Sequence, residues 1–267
     1  MNMFEITEGD SPIILAQPHG GTHVPAELSA RLNERGRELS DTDWHINRLY
    51  DGLIEGVTVV HSNIHRYVID ANRDPSNVSL YPGQTTTSLC PTTDFNGRDI
   101  WQAGQAPSDD EAMARCAAFH TPYHEALAEQ VSRVRAKHGM AILYDCHSIH
   151  SNIPYLFEGQ PPVFNIGTDN GQTCHASIQT TTHTICATAP DHDTILNGRF
   201  RGGWTTRHYG QPSKGVHTIQ MELAQRAYMD EFTPWNYRTD RAETLRPVLG
   251  RILENLDQIA RSGALDI

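Results

Sequence analysis

The chain has 267 residues, 38% of them hydrophobic, and carries a formal net charge of -11. That length can bury a full core as one large α/β domain or two small ones, and a single domain over residues 1–267 is the expectation. The negative charge and the lack of a basic run argue against nucleic acid as a partner, and no stretch approaches the roughly 18 apolar residues of a membrane span.

The N-terminus, MNMFEITEGD, is acidic and lacks the basic and apolar zones of a signal peptide, so a soluble, cytoplasmic protein is expected. Apolar, β-branched runs of strand length follow at Ser11–Gln17, Gly56–Ser62, Arg66–Asn72, Met140–Cys146, Pro162–Thr168 and His217–Leu223. Their apolarity is continuous rather than alternating, which predicts strands covered on both faces. Between the first two runs, SDTDWHINRLYD places Asp41, Asp43 and His45 just before the apolar positions of a short helix, where either aspartate could be an N-cap.

The stretch Asp74–Asp99, rich in Thr, Pro and Gly, is too long for a simple connector and predicts a rim or lid over a site. Ser108 is a plausible N-cap for a long helix with acids in its first turn, bases in its last and Gly139 as its stop. Pro122 should kink or divide that helix. Leucines and isoleucines at helical spacing predict a last helix over about Asp240–Ala260. Strands alternating with helices give a three-layer α/β/α architecture around a mixed, mostly parallel sheet, in which ligands gather beyond the carboxyl ends of the strands.

By that rule, Asp145, His147 and Ser148 stand where the strand Met140–Tyr144 runs out, facing a cleft. The first run leads into PHGGTHVP, with His19 on a turn whose two glycines let the backbone approach a ligand closely, and His23 just beyond. Glu222 ends an otherwise apolar strand. On a surface it would be unremarkable; in a cleft it would be desolvated, with the raised pKa of a general base. Asn72 and Arg73 lie at a run's end, and Arg199, Arg201 and Arg207 stand among glycines. In so acidic a chain these arginines look like an anion clamp, because a guanidinium grips a carboxylate through two parallel hydrogen bonds.

Other signals carry less. The five cysteines, Cys90, Cys116, Cys146, Cys174 and Cys186, are scattered and form no CxxC, so neither a disulfide framework nor a thiolate zinc site is indicated. Fifteen histidines invite a search for a metal site without proving one. His120 and His124 share a helical face, but their HTPYH lacks the glutamate of HExxH and reads as surface or packed histidines. Cys146 beside His147 has no glycine elbow and reads as a small buried hydrophobe. Gly167–Gly171 reads as a turn, and the nucleotide-binding loops GxGxxG and GxxxxGK[ST] are absent.

The ordered set PHGGTHVP, DTDW, RYVIDANRDP, YDCHS, GRFRGGW, RHYGQP and IQMELAQRAYM resembles the N-formylglutamate amidohydrolases, or deformylases, of histidine degradation, over nearly the whole chain. That family looks related to the zinc carboxypeptidases and aspartoacylases. The resemblance implies their phosphorylase/hydrolase-like fold and a zinc ion, replaceable by manganese, iron or cobalt, held by His19, His147 and one acidic group. The position three after His19, a glutamate in carboxypeptidases, is Thr22 here. Asp43 is the candidate third ligand, with His23 and Asp41 as rivals, and Asp145 is placed to orient a ligand.

The resemblance further implies that Glu222 is the general base and that Arg66 stabilises the oxygen gaining negative charge. The small anionic substrate, N-formylglutamate, would have one carboxylate on Arg73 with Asn72 and the other on Arg199 or Arg207. A related acyl-amino-acid amidohydrolase and a non-catalytic metal- or metabolite-binding protein are the competing readings, and the sequence leaves oligomeric state open.

Overall fold

Residues 2–79, 83 and 86–265 are described by a computed structural model. Seven strands among them form one sheet: β1 (Phe4–Thr7), β2 (Ile13–Gln17), β3 (Thr58–Ser62), β4 (Ala141–Ile149), β5 (Phe164–Gly167), β6 (Thr194–Leu196) and β7 (Val216–Ala224), in the order β1-β3-β2-β4-β7-β5-β6. The four central strands β3, β2, β4 and β7 run parallel, while β1 and β5 pair antiparallel at either side. The helices are α1 (Ala26–Ser29), α2 (Glu34–Arg37), α3 (Ile46–Tyr50), α4 (Asp109–Arg115), α5 (Thr121–His138), α6 (Ala176–Ala187), α7 (Trp204–Tyr209) and α8 (Thr239–Arg261).

Alternate residues of the central strands point to opposite faces, and both faces are covered. On one face Ile13, Ile142, Tyr144 and Ile219 meet Leu49 of α3, Ile178 of α6 and Leu249 and Leu253 of α8. On the other, Ile14, Leu143 and Val216 meet Tyr123, Leu127 and Val131 of α5. Covering both faces removes the need for polar alternation, which is why the strands read as continuous apolar runs. No helix among the described residues is long and apolar enough to cross a membrane.

The predicted helix beginning at Ser108 starts there, with the serine hydroxyl accepting from the Glu111 N–H, and it stops at Gly139 in the left-handed region, φ 78°. It is divided by a π-turn over Cys116–His120, just before Pro122. The last helix spans Thr239–Arg261, close to the expected bounds.

Three expectations need correction. The run Arg66–Asn72 is a chain of turns, not a strand: Val68 N–H donates to the His65 carbonyl, and Asp70 N–H donates across to Leu89. Its apolar side chains are buried as a strand's would be, so burial alone could not tell the two apart. Strand β4 continues to Ile149, so Asp145, His147 and Ser148 lie inside it and are buried, and of the three His147 lines a cavity. Neither Asp41 nor Asp43 caps α3: that position falls to His45, which makes no capping hydrogen bond. In the turn after β2, Gly21 runs close to the chain's own backbone, where a Cβ would lie 2.3 Å from Asn63 C, and Gly20 packs against the side chains of His61 and Ile46.

Of the predicted rim Asp74–Asp99, residues 80–82 and 84–85 lie outside the described residues. β1, β6 and α6 were not anticipated.

Candidate active site

The parallel strands β2, β4 and β7 end side by side, and their register aligns the polar residues. Ala16 pairs with Asp145, Asp145 with Gln220, and His147 with Glu222. Asp145 and His147 lie two apart in β4, as Gln220 and Glu222 do in β7, so all four share one face. His19 follows two residues after β2 and reaches the same place. Asp43 arrives from the turn before α3, anchored by its N–H to the His19 carbonyl at 3.0 Å.

Three ligand atoms converge there. His19 Nδ1 lies 3.2 Å from His147 Nδ1, and Asp43 Oδ2 lies 3.8 and 3.3 Å from the two ring nitrogens. Tetrahedral zinc with bonds of about 2.0–2.2 Å spaces its ligand atoms about 3.3–3.6 Å apart, so the donor set matches such an ion in type and spacing. The far side of each ring fits as well: His19 Nε2 meets Asp70 Oδ1 at 2.7 Å and His147 Nε2 meets Asp145 Oδ1 at 2.9 Å. A carboxylate can only accept, so His19 Nε2 carries the proton and its Nδ1 lone pair points at the common centre; His147 Nε2, which also has Asn72 Nδ2 at 3.1 Å, donates to Asp145, and a cation would take the place of any proton on its Nδ1. His23 and Asp41, the rival ligands, are not part of the cluster. Asp41 instead accepts the Phe95 N–H at 2.9 Å, and burial raises its carboxyl to about 7.

The electrostatics demand a positive charge at the centre. Burial lowers His19 to about 4, helped by the Arg66 guanidinium, so that ring stays neutral. Burial also opposes a charge on His147, but Asp145 and Asp43 overcome it and raise the group well above its ordinary value. Asp43 is penalised by burial yet held below the usual carboxylate range by Arg66, 3.1 Å away, and the two histidines. Asp70 is likewise held low against burial by Arg73, His19 and Arg66. A proton or a cation can supply the positive charge these carboxylates call for.

Glu222 sits beside the triad, and burial raises its carboxyl to about 7, with Asp43 adding to the rise against the opposing His147 and Arg66. Gln220 orients it, donating from Nε2 to Glu222 Oε2 at 3.2 Å while its own carbonyl accepts the Gly203 N–H. His19, His147 and Glu222 open into a cavity of about 290 Å³ lined also by Arg66, Asn72, Arg73 and Arg199, with Phe95, Ile149 and Leu156 as its apolar side; Asp43 lies behind them, fully buried.

The arginines are placed unequally. Arg66 is buried, with its guanidinium 4.9 Å from the Phe95 ring centre and its Nε without a hydrogen-bond partner. Arg73 donates to the Thr87 carbonyl and hydroxyl and to the Asn72 carbonyl, three of its five N–H groups. Arg199 lines the cavity and donates to the Leu156 carbonyl. Arg207 does not line it: the guanidinium is paired with Asp169 at 3.2 Å and bonded to the Gly202 carbonyl. Asn72 is gripped from behind, with its Oδ1 accepting the Thr205 N–H and its amide packed where a Cβ on Gly203 would lie 2.4 Å away.

Sequence reasoning missed Asp70 and Gln220, which hold site residues without touching the centre. Asp70 stood in plain view two residues before Asn72. Cys146 and the turn at Gly167–Gly171 behave as expected, the first buried and the second with Asp169, Asn170 and Gly171 at positive φ.

Three ligand atoms spaced to accept a cation, facing a buried, oriented carboxylate at the ends of parallel strands, suit a hydrolase. The particular family follows from comparison. The chain belongs to the N-formylglutamate amidohydrolase family, whose profile matches residues 11–229. It is 45% identical over 249 residues, 93% of each chain, to a protein of Pseudomonas aeruginosa named N-formylglutamate deformylase, and 42% identical over 250 residues to one of the same name from Pseudomonas putida. The crystal structure of N-formylglutamate amidohydrolase from Ralstonia eutropha JMP134 superposes with a TM-score of 0.80 at 21% identity, covering 98% of this chain and all of that one. An Agrobacterium tumefaciens gene product superposes at 0.69 and 17% identity. Both likenesses speak to the fold, confirming a mixed, mostly parallel α/β sheet.

Proposed function

We propose that this chain hydrolyses N-formyl-L-glutamate to formate and L-glutamate, using a divalent cation held by His19, Asp43 and His147, with zinc the first choice. The observation that carries the reading is the triad of ligand atoms beside Glu222, in a cavity edged by arginines. When bound, such an ion polarises a carbonyl oxygen and makes water acidic enough to ionise near neutral pH.

The chain's own residues do the rest. Glu222 takes the proton of the attacking water and then delivers it to the nitrogen of the departing glutamate. Gln220 holds Oε2, which leaves Oε1 for the proton. A carboxyl raised to about 7 can both accept and return a proton near neutral pH, the balance general acid–base catalysis requires. Arg66, fixed by Asp43, supplies positive charge where the formyl oxygen becomes negative. Asn72 and Arg73 face one carboxylate of the substrate and Arg199 the other. The two N–H groups of Arg73 that Thr87 and Asn72 leave over are enough for that contact. Five unpaired cysteines, four of them buried, suit a reducing cytoplasmic setting, and the reaction suits the end of a histidine-degradation route.

The test is formate release from N-formylglutamate before and after chelation, with single metals added back. Activity lost on chelation and restored by zinc is expected. Release that survives complete removal of metal would overturn the metal reading, and no formate at all would overturn the substrate. A panel including N-acetylaspartate, scored for acetate, tests acyl specificity.

A further inference from the structure

The histidines of HTPYH fall outside the chemistry above, yet both are buried and both reach it from behind. His120 Nε2 lies 3.1 Å from the Arg73 carbonyl, and His124 Nε2 lies 2.7 Å from the Ala71 carbonyl. These two carbonyls flank Asn72. A carbonyl can only accept, so each histidine must donate from Nε2. The hydroxyl of Tyr209 stands 3.1 Å from His124 Nδ1 and donates to the His124 backbone carbonyl at 3.0 Å, which fixes the ring's helix turn from the other side.

The fold goes out of its way to make this clasp. Cys116–His120 is a π-turn, a rare local widening of a helix, and it immediately precedes Pro122. It brings the rings of His120 and His124 to a centroid distance of 4.3 Å on the side facing the Ala71–Arg73 segment, with Trp204 packed against both at 5.2 and 4.6 Å. Trp204 opens α7, whose Thr205 N–H holds the Asn72 side chain from the opposite side. The segment needs such support because it is a run of turns with no strand partner.

We propose that His120 and His124 are positioning residues for substrate recognition: by donating to the carbonyls on either side of Asn72, they aim Asn72 and Arg73 into the cavity. The proposal rests on the reading of Arg73 as a carboxylate-binding group. Asn72 Nδ2 also lies 3.1 Å from His147 Nε2, so metal content is measured on every variant to separate substrate recognition from an effect on the triad.

The experiment uses the metal-loaded full chain and three substrates: N-formylglutamate, N-formylnorvaline, which lacks the side-chain carboxylate, and N-formyl-γ-aminobutyrate, which lacks the α-carboxylate. Arg73→Ala first identifies its carboxylate, as the one missing from the analogue on which the substitution has no effect. His120→Leu and His124→Leu, each without a donor, should then raise KM for N-formylglutamate by roughly three- to tenfold, the range one lost hydrogen bond spans. On them kcat and metal content should hold, and the penalty should vanish on the same analogue as for Arg73→Ala. His120→Gln and His124→Gln, which keep a donor, should recover most of the loss. Where a leucine variant does not fold, His120→Asn, too short to reach the carbonyl, replaces it.

A KM penalty equal on all three substrates, unchanged KM, or glutamine variants as impaired as the leucine ones would overturn the proposal. Wild-type protein that releases no formate would instead sink the functional reading beneath it, so the two failures are told apart.

Discussion

Replacing Glu222 by glutamine tests the chemistry most directly, because the structure isolates what the substitution changes. Glu222→Gln keeps the size and shape of the side chain. The Gln220 amide that donates to Oε2 at 3.2 Å still finds an acceptor in the new carbonyl oxygen. The buried residue therefore keeps its partner and the ligands of the triad are untouched, while the proton-transfer function is gone. General acid–base catalysis is worth roughly 10²–10⁴ in rate, so kcat should fall by that factor, or about 3–5 kcal/mol in the barrier. Metal content, measured by elemental analysis, should equal wild type, and KM should move little.

The pH profile gives a second reading of the same change. The wild-type rate should decline on the acid side as Glu222 takes up a proton, and that limb should be absent in the variant. Stability moves the other way. Burial lifts Glu222 from 4.5 to about 7, so the folded metal-free protein holds that proton more tightly than the unfolded chain. A raised carboxyl stabilises below its unfolded value and loses that contribution as pH rises through the folded one. In metal-free protein at about pH 8, Glu222→Gln should accordingly be more resistant to urea than wild type. The reasoning is refuted if the variant, fully loaded with metal, turns over within about threefold of wild type, since no proton-transfer role could then be assigned to Glu222.

Three further outcomes follow from particular contacts. Asp70→Asn and Asp145→Asn, which weaken the groups behind His19 and His147, should each lower metal affinity about 10- to 100-fold, read by competition with a chromophoric chelator. Arg73→Ala should raise KM roughly 10- to 150-fold, the worth of a charged hydrogen bond, with metal content unchanged. His124 is held down to about 3, first by burial and then by the neighbouring His120, whereas in the unfolded chain it titrates near 6.5. The unfolded state therefore binds the extra proton between those values. The contribution is complete above 6.5 and is lost as pH falls toward 3, at no more than about 1.4 kcal/mol per pH unit. Urea midpoints at about pH 7 and about pH 5 should fall more steeply for wild type than for His124→Gln, and equal slopes would contradict the assignment.

Much of this protein is written in its local sequence. Continuous apolar runs announce strands covered on both faces, because burying both faces leaves no solvent side to mark with polar residues. Ser108 and Gly139 mark the ends of the long helical segment, since capping depends on neighbours three or four residues away. His19, His147 and Glu222 stand out as costly groups next to such runs, and the structure brings all three to one place.

What chain order does not carry is convergence. Asp41 and Asp43 are two residues apart with the same chemistry, yet Asp43 meets both histidines while Asp41 holds the Phe95 backbone. Arg199 and Arg207 read alike among their glycines, but Asp169, nearly forty positions earlier, pairs with Arg207 while Arg199 lines the cavity. The run Arg66–Asn72 has a strand's apolarity without a strand's partner; the distant His124 holds its Ala71 carbonyl instead, and His120 the carbonyl of Arg73 just beyond it. Composition and periodicity report how each residue interacts with water and with its near neighbours. Only packing decides which distant groups share a few ångströms, and the chemistry proposed here depends on those distances.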